Sequence, residues 1–146
     1  MSELKGIKKL QQENLKTALS NEEIQQQGFV TAVYSMNYLK KTHKDCPSVV
    51  CLDEQNHVIG YALVATRASR NEHPLLKTLF ATIDQQTYNE RLLKNTHYVV
   101  VGQLCVAKSF RGRGIAQKMY AYYKQQLSSS YEYCLTDVDV TNIRSL

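Results

Sequence analysis

Six consecutive residues, Arg111-Gly112-Arg113-Gly114-Ile115-Ala116, combine fixed positive charge with two glycines, and Lys108 lies just upstream. Such a string suits an anion. Where a strand turns sharply into a helix, several backbone N–H groups converge; those of the first helical turn have no partner inside the helix and sit at its positive end. A phosphate fits there when side chains keep clear. Gly112 and Gly114 lack the Cβ that would block it and reach φ values closed to other residues. Ala116 keeps the inner face small, and Arg111, Arg113 and Lys108 add mobile positive charge round the rim. The chemistry is diphosphate binding at a helix start. Two familiar loops are excluded, because the string is neither G-x-x-x-x-G-K-[ST] nor G-x-G-x-x-G.

The remaining reactive side chains read as structure. Cys46, Cys51, Cys105 and Cys134 form no CxxC pair and have no His at zinc-like spacing. His43, His57, His73 and His97 stand apart, so no metal site is expected. Cys105 and Cys134 lie in apolar runs, where a free Cys behaves as a small buried hydrophobe and not as a nucleophile. Tyr120, Tyr122 and Tyr123, at helical spacing, read as helix packing. Arg67 and Arg70 read as solvated loop charges. Asp137 and Asp139 alternate with Val138 and Val140 and share one face of a strand, open either to a substrate amine or to solvent and cofactor.

The elements that must position the basic loop follow from periodicity. Tyr98 to Ala107 is nearly continuous in apolar residues, as in a central strand covered on both faces. From Gly114 to Leu127, Ile115, Met119, Tyr122, Tyr123 and Leu127 recur at roughly helical spacing. A last strand is predicted from Glu132 to Val140. Upstream, Ser48 to Glu54 and His57 to Thr66 form a hairpin about Gln55-Asn56. Ser20-Asn21-Glu22-Glu23 has the form of a capping box and starts a short helix that stops at Gly28, within a polar, Gln-rich first thirty residues. Further helices are expected from about Tyr34 to Lys44 and, entered by Pro74, to Ile83. The structure of residues 84–95 stays open. The pattern is an α+β or α/β sandwich.

The chain of 146 residues, 43% hydrophobic and 21% charged, suits one domain spanning 1–146. It has no run of ~18 apolar residues, and its first residues do not form a signal peptide, which predicts a cytoplasmic protein without membrane contact. The net charge of +5 and pI near 9.0 invite nucleic acid, but the basic residues are scattered and cluster only at the loop. A small anionic ligand fits better, and no nucleic-acid partner is expected.

These residues resemble the GCN5-related N-acetyltransferase (GNAT) superfamily. Its loop, [Q/R]-x-x-G-x-[G/A], is met by Arg111, Gly114 and Ala116. Gln103-Leu104-Cys105-Val106 is similar to the family's apolar fourth strand, Ile59-Gly60-Tyr61-Ala62 to a hairpin strand, and Asp137 to Asn142 to a strand that ends in an Asn beside the cofactor. The resemblance covers about Ser48 to Leu146 and implies a mixed, mostly antiparallel sheet flanked by helices. It also implies a cofactor site for acetyl-CoA: amides from Arg111 through Gly112, Arg113, Gly114 and Ile115 to Ala116 hold the diphosphate. Leu104, Cys105 and Val106 pair with the pantetheine arm as the strand splays from its neighbour, and Asn142 lies beside the cofactor. The N–H of Cys105 or Val106 would polarise the thioester carbonyl, and the acetyl group would pass directly to the primary amine of a small molecule or peptide.

The family's general base is commonly a Glu on the fourth strand. Here Gln103 stands in that neighbourhood and cannot serve, which leaves Glu90, Asp84 or water; catalytic residues are not assigned. The family's general acid is often a Tyr on a helix beyond the last matched strand, a helix this sequence does not reach. The expected fold is therefore short at its C-terminus, with its last strand an exposed edge through which a homodimer would form. The alternative function is a CoA-binding or interaction module without turnover.

Overall fold

The computed structural model describes residues 2–142 and Ser145, without the side chains of Gln26 and Gln27. Met1, Ile143, Arg144 and Leu146, which the expected domain includes, lie outside the described residues. Helix α1 (Ser2–Glu13) is one the sequence reading missed. Its Leu4, Ile7, Leu10 and Gln11 are buried; Ile7 follows Leu4 by three, and Leu10 and Gln11 follow Ile7 by three and four, the spacing of a helix face.

Helix α2 (Asn21–Gln27) starts at the expected box: Ser20 Oγ accepts from the Glu23 N–H and Glu23 Oε2 accepts from the Ser20 N–H. It ends at Gly28, whose φ is +71°. Helix α3 (Met36–Asp45) is capped by Ser35, which accepts from the Tyr38 N–H at 3.1 Å. Strands β1 (Val49–Leu52) and β2 (Val58–Ala65) form the antiparallel hairpin. Asp53 fixes its turn by accepting from the N–H groups of Gln55 and His57 through Oδ1. Helix α4 (Pro74–Asp84) begins with Pro in its first turn. The segment left open holds a two-residue hairpin of β3 (Thr87–Tyr88) and β4 (Arg91–Leu92). Strand β5 (Tyr98–Val106), helix α5 (Ile115–Leu127) and β6 (Tyr133–Leu135) complete the order.

The main sheet runs β1-β2-β5-β6, antiparallel except for the parallel pair β5–β6. Helices α1, α3 and α4 bury Ile7, Leu39, Leu76 and Phe80 against one face, while α5 buries Met119 and Tyr123 against the other. This is the mixed α+β sandwich the sequence implies. The expected self-association surface, β6, is an edge strand of three residues and not the longer one predicted to Val140.

Gly102 is an extra residue in β5: Leu63 pairs with Gln103 and Val64 with Val101. Such a bulge reverses which face later side chains meet. Tyr98 and Val100 before it, and Cys105 after it, share the face of α1 and α4; Val99, Val101, Leu104 and Val106 pack on the α5 side.

The approach of α1 to β2 is close at Gly6. A Cβ there would lie 2.6 Å from Val58 Cγ2 and 2.7 Å from Val58 Cβ, and a β-branched side chain has little rotamer freedom to move aside. Overpacking costs about 1–3 kcal/mol, against ~1 kcal/mol gained from alanine's helix propensity. We expect Gly6→Ala to lower the urea midpoint; an unchanged or raised midpoint would show that α1 does not pack in this way.

Candidate functional site

Strands β5 and β6 stay paired only from Tyr98–Tyr133 to Val100–Leu135. One further tie, from the Thr136 hydroxyl to the Val101 carbonyl at 2.9 Å, closes the contact. β5 then runs on to Val106, and no described residue forms a strand against its far edge there. Which main-chain groups face that edge follows from the ladder to β2. The Ala107 N–H donates to the Ile59 carbonyl at 2.8 Å, and opposed residues of an antiparallel pair alternate between exchanging and non-exchanging pairs. Counting back, Cys105 exchanges with Tyr61, whereas Val106 opposite Gly60 and Leu104 opposite Ala62 do not. Leu104 and Val106 therefore direct N–H and C=O to the open edge, and Cys105 directs its own into β2. Of the two donors the resemblance implies, only Val106 faces outward.

The chain leaves β5 through a short 3-10 turn at Lys108–Phe110 and enters α5 at Gly114. Gly112 and Gly114 both have φ +73°, the left-handed region that L side chains rarely enter. A Cβ on Gly112 would meet nothing within 4 Å, and one on Gly114 only Gln117 Oε1 at 4.0 Å. Glycine is needed here for backbone conformation and not for room within the protein. The Lys118 N–H reaches the Gly114 carbonyl at 3.0 Å, so the N–H groups of Ile115, Ala116 and Gln117 precede the first α-helical bond and remain donors.

A cavity of about 600 Å³ joins the edge to the turn, lined by Leu104, Cys105 and Val106 and by Arg111, Gly112, Gly114, Ile115 and Ala116. The lining also includes Asn14, Phe29 and Val30, which no sequence motif signalled. Of the predicted set, Arg113 and Asn142 do not line it. Asn142 is buried and donates through Nδ2 to the Phe29 carbonyl at 3.2 Å, thereby holding the wall.

The rim cations are not all mobile, as the sequence reading had them. Lys108 pairs with Glu23 at 2.8 Å; that hydrogen bond, with those from Ser20, holds the Glu23 carboxyl down at about 2. Arg111 donates through Nε to the Val106 carbonyl at 2.9 Å and through Nη2 to Asn14 Oδ1. Arg113 lies over the Phe110 ring, 5.1 Å from its centroid, and pairs with no carboxylate among the described residues.

Behind the edge sits a buried polar network. Gln103 Oε1 accepts from Gln11 Nε2 at 2.8 Å and from the Tyr61 hydroxyl at 2.7 Å, while Gln103 Nε2 donates to the Ala32 carbonyl at 2.9 Å. Burial pushes the Cys105 thiol up to about 11, against the opposing pull of Arg111 and Tyr61, so it is no nucleophile at neutral pH. The candidate bases lie elsewhere. Asp84 accepts from Tyr98, the first residue of β5, at 2.7 Å and from Arg67 and Arg70 at 3.2 and 3.4 Å. At ~3.3 Å per strand residue, Leu104 is roughly 20 Å further along. Arg67 and Arg70 are thus not solvated loop charges, for both meet Asp84. Glu90 is exposed in the β3–β4 turn.

No group of His, Cys, Asp and Glu among the described residues could hold a metal ion, and no helix among them is long and apolar enough to cross a membrane. The acetyltransferase (GNAT) family profile matches residues 16–146. Similar solved structures include a chain of the NatC complex bound to Gag peptide and CoA, 17% identical with a TM-score of 0.60 over 99% of this chain and 72% of that one. A tetramutant of the BH1408 protein from Bacillus halodurans is 15% identical with a TM-score of 0.57, covering 97% of this chain and 83% of that one. At such identities the likeness is one of fold. No curated protein matches the sequence.

Proposed function

The chain belongs to the GNAT acetyltransferase family, and from that premise we propose that it moves an acetyl group from acetyl-CoA to a primary amine by direct attack. The observation that carries this reading is one cavity shared by the open edge of β5 and the two left-handed glycines before α5. Its volume of about 600 Å³ suits a ligand of cofactor size. The residues present fit acetyl-CoA: the N–H groups of Ile115 to Gln117 suit the diphosphate, and Leu104 and Val106 offer main-chain donors to the arm.

When bound, acetyl-CoA would supply the thioester, whose C–S bond breaks as the amine nitrogen forms the new C–N bond, the leaving thiolate taking up the proton that the nitrogen then sheds. The chain's part is to hold and orient. Val106 N–H, fixed in a strand and aimed at the open edge, donates to the carbonyl oxygen as negative charge grows there. The ammonium proton leaves before attack through water, because Gln103 has no basic atom and Asp84 and Glu90 lie away from this edge.

The likeness to a chain of the NatC complex, a complex bound to Gag peptide and CoA, supports CoA as donor and peptide amines, beside small-molecule amines, as acceptors. The test is thiol release from acetyl-CoA across polyamines, amino sugars, amino acids and peptides. We expect release that depends on both chain and amine. Saturable acetyl-CoA binding without release from any class would sink transfer and leave a binding module.

A further inference from the structure

We propose that Arg111 is a positioning residue that shapes the open edge of β5; this rests on the acetyl-CoA reading above. A cationic residue in a phosphate-type loop invites assignment as a phosphate ligand, and the sequence alone gives no reason to separate the two arginines. The structure separates them.

Among the described residues, the Arg111 guanidinium donates to acceptors on two separate segments that both line the cavity. Nε donates to the Val106 carbonyl at 2.9 Å, the last main-chain acceptor on the open edge. Nη2 donates to Asn14 Oδ1. Asn14 is itself fixed, donating through Nδ2 to the Leu10 carbonyl of α1 at 2.8 Å and accepting from the Val30 N–H at 2.9 Å. Arg111 therefore sets the distance between β5 and the segment carrying Asn14, Phe29 and Val30.

Two consequences follow for the ligand. With the Val106 carbonyl occupied, the edge presents the N–H groups of Leu104 and Val106 and the carbonyl of Leu104, so an extended arm must pair with that reduced set. The planar fork is also essential, since an ammonium of the same charge on a flexible stem cannot address two acceptors in fixed directions. Arg113 has the contrary character: its guanidinium lies over Phe110 and it does not line the cavity.

The experiment compares equilibrium binding of CoA with that of 3′-phospho-ADP, the half of CoA that keeps the diphosphate and lacks the pantetheine arm. We expect Arg111→Lys, which keeps the charge, to weaken CoA by about tenfold through a lost charge-assisted bond. It should leave 3′-phospho-ADP nearly unchanged. Asn14→Ala, which removes the other end of the clamp without touching the loop, should weaken CoA in the same selective way. Arg113→Gln, a charge loss outside the cavity lining, should leave the ratio of the two affinities as it is in the unaltered chain. The thermal midpoint of each variant is read beside its affinity; if Arg111→Lys does not fold, Asn14→Ala decides alone. Equal losses of both ligands on clamp removal, or none, would overturn the proposal while CoA binding to the unaltered chain stood. Failure of the unaltered chain to bind either ligand would sink the acetyl-CoA reading itself.

Discussion

Valine at both Gly112 and Gly114 is expected to weaken acetyl-CoA binding by about 100-fold or more while leaving the chain folded. Neither position lacks space, since a Cβ would meet nothing closer than Gln117 Oε1 at 4.0 Å. The penalty lies in φ, +73° at both, where a β-branched residue is a strong outlier. Each replacement costs about 1–2 kcal/mol in place, and the chain can escape that cost by rotating the turn to negative φ. Rotation re-aims the peptide planes ahead of α5. Losing two charge-assisted hydrogen bonds at about 1.5–3 kcal/mol each gives the stated factor. Calorimetric titration reads it directly. Near-normal affinity in the double variant would mean that the phosphates are held elsewhere.

The second large effect falls on stability. Gln103 uses three polar bonds to join α1, β2 and the loop at Ala32, and Gln11 and Tyr61 on either side of it are fully buried. Gln103→Leu would strand the Gln11 amide, the Tyr61 hydroxyl and the Ala32 carbonyl at about 1–3 kcal/mol each. A loss of roughly 3 kcal/mol or more is expected, a large share of the 5–15 kcal/mol typical of a domain.

Gln103→Glu tests the same site with a sign. Protonated, the carboxyl can still donate to the Ala32 carbonyl; ionised, it sets a buried negative charge against that oxygen. Its folded pKa is therefore raised above the unfolded value of about 4.3. Stability relative to the parent chain is then greatest below pH ~4 and falls as pH rises through the folded pKa. Thermal midpoints of both chains between pH 4 and 8 should diverge in that direction, and parallel curves would contradict the network described.

Legibility in the sequence divides along the range of the interactions. β5, the turn and α5 were readable because their signals are local: a continuous apolar run, two bracketing glycines and a helical repeat. Ser20 and Glu23 likewise signalled α2 through bonds three residues apart. Helix α1 was not readable, because Lys and Gln surround Leu4, Ile7 and Leu10, and one of its buried residues is Gln11, whose partner Gln103 lies 92 positions away. Arg111 read as a mobile cation for the same reason, with Asn14 97 positions back in the chain. The alternation of Asp137 to Val140 suggested a strand to Val140, yet the strand stops at Leu135. Local bonds compete just beyond: Asp139 Oδ1 accepts from the Thr141 N–H at 2.8 Å and its carbonyl from the Asn142 N–H at 2.7 Å, forming a turn.

The open edge of β5 is the central claim, and amide hydrogen exchange with and without acetyl-CoA addresses it most directly. Binding there predicts slowed exchange at Leu104, Val106 and Ile115 to Gln117. The Cys105 amide, already committed to β2, should change little. Saturable binding with these amides unaltered, or with protection confined to other segments, would contradict it.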